Sequence, residues 1–247
     1  MINISKRTIK VGGVLLAITL LMFTISLSVG EIMVTPLDVL KSILGMNTGF
    51  SSILVMNIRL PRVIVAFFVG ASLALSGAIL QGVVKNNLAS PDILGIVNGG
   101  SVGALIFLTI FTDPKNNSLT TSILYMPLFT FAFSFLAVML ILFISGKSTS
   151  TNKLIIIGIG VSAIFKGITN ILIINGPVIF IKEATTWITG SIYGANFTHA
   201  TIITIIFTVF TIITVIFIKD LNLHQLEDEV VIALGNNIHK SRIILLS

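Results

Sequence analysis

The chain has 247 residues, of which 55% are hydrophobic and only 10% are charged, and its formal net charge is +6. Soluble domains carry roughly 25% charged residues, so this composition argues against a water-soluble protein and predicts one that is solvated by membrane lipid. The basic residues lie singly between apolar runs and form no basic stripe, which argues against a nucleic-acid partner.

Six apolar stretches approach the roughly 20 residues that a membrane-spanning helix needs. Lys6, Arg7 and Lys10 precede the first stretch as in a signal peptide, but its length and the later spans favour an uncleaved helix. The sequence therefore predicts an all-α, polytopic transmembrane bundle, a single domain over residues 1–247 with six complete spans and the start of a seventh. The six spans are Val11–Val29, Val63–Val84, Ile93–Phe111, Leu124–Ile144, Leu154–Ile174 and Ala200–Ile218.

The connectors carry two local signals. The segment TPLDVLKSIL, from Thr35, predicts a short amphipathic helix at the membrane surface. Ser90-Pro91-Asp92 predicts the start of the third spanning helix, because serine caps a helix, proline suits its first turn and an acid suits its positive end.

The positions of the basic residues predict the orientation. With the N-terminus in the cytoplasm, nine lysines and arginines lie inside and five outside, which favours a multi-pass protein of the cell membrane with a cytoplasmic N-terminus. The inside set is Lys6, Arg7, Lys10, Lys85, Lys147, Lys153, Lys219, Lys240 and Arg242, and the outside set is Lys41, Arg59, Arg62, Lys115 and Lys182.

Small residues recur every four positions along two predicted helices. In lipid, close backbone approach through small residues provides much of the association energy between helices, so both helices are expected to pack inside a bundle. We also expect the amides of Gln81 and Asn98 to face other helices, since an unpaired amide in hydrocarbon is costly. The two ladders are Gly70, Ala74, Ala78 and Gly82, and Gly95, Gly99 and Gly103.

Five motifs carry a family resemblance. RLPR, VGASLALSGAILQ and NxLASPDILG occur between Arg59 and Gly95, and ATTWITGSIYG and LNLHQLEDEVVIALG follow downstream. Together they make the chain similar to the FecCD-type permeases of ATP-driven importers for ferric siderophores, haem and cobalamin. Asn87 and Glu227 stand where the family usually has proline and glycine. Since family members have more helices, the resemblance implies a permease truncated at its C-terminal end.

The resemblance implies an assembly of several chains. A second permease subunit would complete a homodimer or heterodimer, two cytoplasmic ATPase subunits would drive it, and an extracytoplasmic substrate-binding protein would deliver the ligand. The chain itself has no GxxxxGK[ST] loop, so ATP hydrolysis is expected in a partner. No catalytic residue, cofactor or metal site is expected, because cysteine is absent and the three histidines lack HExxH spacing.

The resemblance also implies two contact sites. Arg59 and Arg62 would dock acidic residues of the binding protein at the outer face, or else only anchor a helix end at the headgroups. Residues 221–242 would form a pair of short cytoplasmic helices that couples to the ATPase, or else an ordinary solvated loop. In that segment, acids suit the start of the first helix and glycine suits the turn; its residues are Asp228, Glu229, Ala233, Leu234 and Gly235.

Lys166 is the one basic residue inside a predicted span. It lies twelve residues after Leu154, about 18 Å along the helix, beyond the middle of a hydrocarbon core about 30 Å thick. A lysine there marks a functional or bundle-interior site by default. The fifth helix of the family lines the translocation path, so the resemblance implies that Lys166 and Asn170 line it and that Lys166 faces the dimer axis and offers positive charge to an anionic ligand. The alternative is that Lys166 reaches the headgroups, or pairs with carbonyls and Asn170.

Two other functions are possible from the residues alone. An intramembrane enzyme would need paired acids, or a serine or histidine set, at membrane depth. The predicted spans contain no Asp or Glu, which argues against the aspartyl and glutamyl versions. A channel or secondary transporter without an ATPase would usually show acids or broken helices near the midplane, and the sequence indicates neither. Among ligands, ferric siderophore is expected first, then haem and then cobalamin.

Overall fold

The computed structural model of the chain describes residues 6–46, 49–87, 89–113, 116, 118–146, 151–175, 185–218 and 221. A two-stranded antiparallel hairpin, β1 (Thr112–Asp113) and β2 (Ser118–Leu119), follows the fourth helix, and a 3-10 turn (Ile123–Tyr125) precedes the fifth. The main helices are α1 (Lys6–Ser28), α2 (Pro36–Ile43), α3 (Phe50–Val84), α4 (Ile96–Phe111), α5 (Met126–Ser145), α6 (Thr151–Asn175) and α7 (Phe197–Ile216).

Five of these helices are long and apolar enough to cross a membrane, by length and composition: α1, α3, α5 with its preceding turn, α6 and α7. Helix α4 has 16 residues, about 24 Å of helix, which is less than the roughly 30 Å of a hydrocarbon core. The chain is therefore a polytopic helical membrane protein, as its apolar runs predict. The described residues provide five full-length candidates for the six predicted spans, and the expected seventh lies outside them.

Helix α3 begins thirteen residues before the predicted Val63, at Phe50, and it contains a π-helical segment, Leu54–Arg59. Pro61 explains the wide turn. In a regular α-helix its ring would clash with the carbonyl four residues earlier, and its nitrogen has no hydrogen to donate. Widening the helix just before Pro61 relieves both problems, so the RLPR motif lies inside a helix rather than in front of one.

Helix α4 does not begin at Ser90-Pro91-Asp92, and that prediction is wrong. Those residues form a separate turn in which the amide of Leu94 donates to the carbonyl of Ser90 at 3.2 Å. Gly95 then has φ +76°, a left-handed conformation that interrupts any α-helix, and the helix starts at Ile96. The start signal was correct for a turn but could not predict this break.

One compact unit comprises Met1–Ser72 and Ile192–Phe210. The predicted amphipathic segment forms α2, whose Thr35 hydroxyl caps it by accepting from the amide of Asp38 at 3.2 Å. Phe68 packs against Phe207 of α7, with ring centroids 5.4 Å apart. The buried core of this unit consists of Leu27, Val34, Val39 and Val55.

The second unit comprises Leu73–Ser191 and Thr211–Ser247. Its centre is a layer of three helices, in which α4 contacts both α5 and α6. An aromatic group, Phe107, Phe111 and Phe129, joins the end of α4 to the start of α5. The main buried cluster of this unit is Leu80, Val84, Ala89, Leu94, Val102, Ala137, Ile141, Leu154, Val161 and Phe165.

Candidate docking and transport sites

Arg59 caps the C-terminal end of helix α1. Its side chain is buried, and Nη1 donates to the carbonyl oxygens of Leu27 at 2.8 Å and Ser28 at 3.0 Å. Its Nη2 donates to the carbonyl oxygen of Ile32. The last carbonyls of a helix lack partners within that helix, so this guanidinium satisfies them. A Cβ at Gly30 would lie 2.7 Å from Nη2, so glycine is what lets the arginine reach its place.

Arg62, three residues later, has a different environment. Its guanidinium carbon lies 5.1 Å from the centroid of the Tyr193 ring, a cation–π contact. The Nε atom is buried and has no hydrogen-bond partner. The terminal nitrogens have no hydrogen-bond or salt-bridge partner among the described residues, and the side chain is partly exposed. Of the two RLPR arginines, only Arg62 therefore keeps donors available for another molecule.

Tyr193 stands at the corner of a tight turn. The amide of Ala195 donates to the carbonyl of Ile192 at 3.1 Å, and Gly194 has φ +82°. A positive φ at the third residue is the mark of a type II turn, which favours glycine there. The turn leads into α7 and leaves the Tyr193 side chain 86% exposed.

The start of α7 is capped on both sides. Asn196 Oδ1 accepts from the amide of His199 at 3.1 Å, and the amide of Asn196 donates to His199 Nδ1 at 3.3 Å. This reciprocal pairing has the geometry of a capping box, with histidine in place of the usual acid or amide. It fixes the backbone just after the Tyr193 turn.

Lys166 and Asn170 lie on the exposed side of α6. The opposite side of the helix is buried through Leu154, Val161 and Phe165. Neither polar side chain has a hydrogen-bond or ion-pair partner among the described residues. A strip of Gly160, Ala163, Gly167 and Asn170 runs beside Lys166 along this side, and space is open around both glycines. The cation therefore stands on an uncovered face that carries these small residues and also exposed isoleucines such as Ile159 and Ile171.

The two small-residue ladders differ in their surroundings. In α4, a Cβ added at Gly99 would lie 2.7 Å from the carbonyl oxygen of Phe133, and one at Gly103 would meet the carbonyl oxygen of Phe129. Gly95 approaches the backbone of Ser162 equally closely. In α3, by contrast, the ladder residues Gly70, Ala74 and Ala78 are exposed, and Gly82 has only Leu221 nearby.

The two amides also differ. Asn98 Nδ2 donates to Ser162 Oγ at 2.7 Å, a hydrogen bond between α4 and α6. Gln81 Nε2 donates to the carbonyl of Asn87, six residues later, at 3.1 Å, so this bond is local and does not join two helices. The side chain of Gln81 is exposed. Of the coupling segment 221–242, only Leu221 is described, so Asp228, Glu229, Ala233, Leu234 and Gly235 lie outside the described residues.

Three residues of these sites were not predicted from the sequence. Gly30 and Ser162 have no motif that marks them, because their role depends on which helix lies beside them. Tyr193 does carry a signal, since it is an aromatic residue beside a glycine in the polar connector before α7. Aromatic residues in such a turn are candidates for partner contacts.

A known protein family and several known proteins are similar to most of the chain. The sequence profile of the FecCD transport family matches residues 18–247. YfhA of Bacillus subtilis (strain 168), described as a probable siderophore transport system permease protein, is 34% identical over 242 residues, which are 98% of this chain and 70% of YfhA. FhuG of the same organism, an iron(3+)-hydroxamate import system permease protein, is 34% identical over 243 residues, covering 98% of this chain and 72% of FhuG.

Among the solved structures with a similar fold is an inward-facing chain described as a putative metal-chelate type ABC transporter, which superposes with a TM-score of 0.77. The superposition covers 96% of this chain and 71% of the other, at 24% sequence identity. At this identity the likeness describes the arrangement of helices alone.

Proposed function

Because the chain belongs to the FecCD transport family, we propose that the ABC importer in which it serves as a permease carries a ferric siderophore. The permease spans the membrane and forms the passage, and ATP hydrolysis lies in separate subunits. The siderophore cargo is supported by the relatives, two of which are described as permease proteins of a probable siderophore transport system and of an iron(3+)-hydroxamate import system. Haem and cobalamin are the second and third candidates.

The proposed assembly has one further permease subunit, identical or different, two cytoplasmic ATPases and one extracytoplasmic binding protein. The six predicted spans, a cytoplasmic N-terminus and an ATPase-coupling segment at 221–242, with its turn at Leu234-Gly235, belong to this proposal. The excess of lysines and arginines in the segments assigned to the cytoplasm supports the orientation.

Lys166 is the observation that supports a path for an anionic chelate. Helix α6 spans Thr151–Asn175, so Lys166 lies about 22 Å from its first residue and about 14 Å from its last. At this depth a lysine without an acidic partner is costly unless water or a polar ligand reaches it. The small residues beside it leave room for such a ligand. Lys166 and Asn170 therefore form the proposed ligand-facing strip of α6.

The docking proposal is narrowed from two arginines to one. Arg59 would have to abandon three carbonyl oxygens to bind a partner. Arg62 has to abandon no hydrogen bond among the described residues. We therefore propose Arg62 alone as the arginine that docks an acidic residue of the binding protein.

Replacing Lys166 by methionine tests the proposed path. The charge is lost and most of the volume is kept, so uptake of an anionic ferric catecholate chelate should fall about tenfold or more. A charge pair at 4 Å contributes at least about 1 kcal/mol in water and several-fold more in a partly buried site. Uptake is measured with radioactive iron in cells that carry the assembled importer.

The matched control is Lys153→Met on the same helix. Lys153 lies near the start of α6, and its Nζ donates to the carbonyl of Ser145 at the end of α5. Removing this charge should therefore leave uptake nearly unchanged. Undiminished uptake of the anionic chelate by the Lys166→Met importer would show that the charge has no role in transport.

A further inference from the structure

We infer that Tyr193 is a positioning residue for Arg62, which it holds ready to receive a carboxylate of the binding protein. The inference rests on the proposed docking role of Arg62 and assigns the tyrosine a part in it. Three observations carry it: the cation–π contact with the ring, the terminal nitrogens of the guanidinium that have no partner among the described residues, and the tight turn that presents the ring.

The contact with Tyr193 leaves the terminal donors of the guanidinium open. A guanidinium holds a carboxylate with two parallel hydrogen bonds from its nitrogens. The guanidinium carbon of Arg62 lies over the Tyr193 ring, 5.1 Å from its centroid, and a cation–π contact uses the positive charge of the group rather than its hydrogen-bond donors. The ring and a carboxylate therefore do not compete for the same donors.

The cation–π contact also reduces the side-chain freedom that docking would otherwise remove. A free arginine side chain has many rotamers, and ordering such a side chain at an interface opposes binding. In this structure Nε of the guanidinium is buried, and its central carbon lies over the Tyr193 ring. Only the terminal nitrogens remain to be engaged, so the receptor for a carboxylate exists before the partner arrives.

The position of Tyr193 is fixed by its backbone rather than by burial of its ring. The ring is 86% exposed, so it contributes little to a core. Gly194, with φ +82°, closes the turn behind it, and the capped start of α7 follows at once. A rigid turn that keeps a large aromatic side chain outside the core and over an arginine is suited to a recognition surface.

A double-mutant cycle tests the inference. The permease, assembled with its ATPase in lipid nanodiscs, is titrated with the importer's own substrate-binding protein, and the dissociation constant is measured for four variants. Arg62→Ala should weaken binding about 30-fold or more, because a charged contact is lost. Tyr193→Leu should weaken it about 2- to 5-fold, as expected for an exposed cation–π contact, and Tyr193→Phe, which keeps an aromatic ring, should weaken it less than Tyr193→Leu. In the Arg62→Ala background, Tyr193→Leu should have no further effect.

The outcomes separate the two proposals. If Arg62→Ala binds like the wild type, the docking role itself is refuted. If Arg62→Ala weakens binding but Tyr193→Leu does not, only the positioning role is refuted. An equal loss from Tyr193→Leu in both backgrounds would mean that the tyrosine contacts the partner directly, which also overturns the positioning role.

Tyr125→Leu is the matched control, since Tyr125 is the other tyrosine of the chain and is 54% exposed. It should leave the dissociation constant unchanged. A comparable loss in this variant would show that the effect is not specific to the arginine contact and would overturn the inference. Because the Tyr193 ring is exposed, its removal opens no cavity, and the leucine variant is expected to assemble normally.

Discussion

Arg59 and Arg62 are one helical turn apart and are engaged in opposite ways. Arg59 is only 9% exposed and binds three carbonyl oxygens, so its loss should leave those carbonyls without donors. Arg59→Lys keeps the charge but replaces the planar fork with a single ammonium group, which cannot reach all three. We expect Arg59→Lys to lower the free energy of unfolding by about 1.5–3 kcal/mol, the usual contribution of hydrogen bonds to a charged group. The measurement is the thermal midpoint of the detergent-solubilised permease.

Two further variants complete that experiment. Arg7→Lys, at the exposed start of α1, is the matched control and should not shift the midpoint. Gly30→Ala should lower it, because the added methyl group would lie 2.7 Å from Arg59 Nη2. A midpoint for Arg59→Lys equal to that of the wild type would contradict the capping role.

The sequence could predict that RLPR was a functional motif but not which arginine would be available. That difference arises from the position of the end of α1, which lies more than thirty residues away along the chain. The same holds for Lys166, whose unusual depth follows from counting residues, while its uncovered face depends on which side of α6 meets α4 and α5. Local spacing contains no information about such long-range neighbours.

At the scale of elements, the two small-residue ladders allow a direct comparison. Gly103→Ala would drive a methyl group into the carbonyl oxygen of Phe129 and force α4 and α5 apart. Overpacking of this kind costs about 1–3 kcal/mol. Gly70→Ala has open space, and an alanine is favoured over glycine within a helix by about 0.5–1 kcal/mol. The expected order of thermal midpoints in the isolated permease is Gly70→Ala at or above wild type, and Gly103→Ala below it.

The opposite order would mean that the close approach of α4 and α5 does not limit stability.

The periodicity of the ladders was evident from the sequence, and so was the existence of the helices. The start of α4 was not, because Gly95 lies in a run whose composition continues the helix without interruption. The sequence does not show whether a glycine adopts a helical or a left-handed conformation. At Gly95 the structure shows the left-handed one, beside the backbone of Ser162.

For the whole molecule, the proposed orientation can be measured directly because the chain has no cysteine. Each introduced cysteine is therefore a unique label. With a cytoplasmic N-terminus, Lys41→Cys in α2 should react with a membrane-impermeant maleimide in intact cells. Lys85→Cys, at the end of α3, should react only after the membrane is permeabilised. The reverse pattern would put Arg62 and Tyr193 on the ATPase side and contradict the docking proposal as well.

Composition alone was sufficient to predict a polytopic membrane protein, since a chain with 10% charged residues cannot cover a water-exposed surface. The motifs were sufficient to predict the family. The number of full-length spans was harder to predict, because α4 and its preceding turn share one apolar run that a hydropathy argument cannot divide. The faces that other subunits would cover could not be predicted either, since the sequence of one chain contains no information about the chains that pack against it.

The wide turn of α3 has a consequence for insertions and deletions in the gene. A π-helical segment is equivalent to one extra residue inserted in an α-helix. Deleting one residue from Leu54–Ile58, within this segment, would remove the extra residue that the wide turn accommodates. The ring of Pro61 would then meet the carbonyl four residues before it, as in a regular α-helix. A single-codon deletion there should therefore be more damaging than most point substitutions, although it leaves the RLPR motif intact.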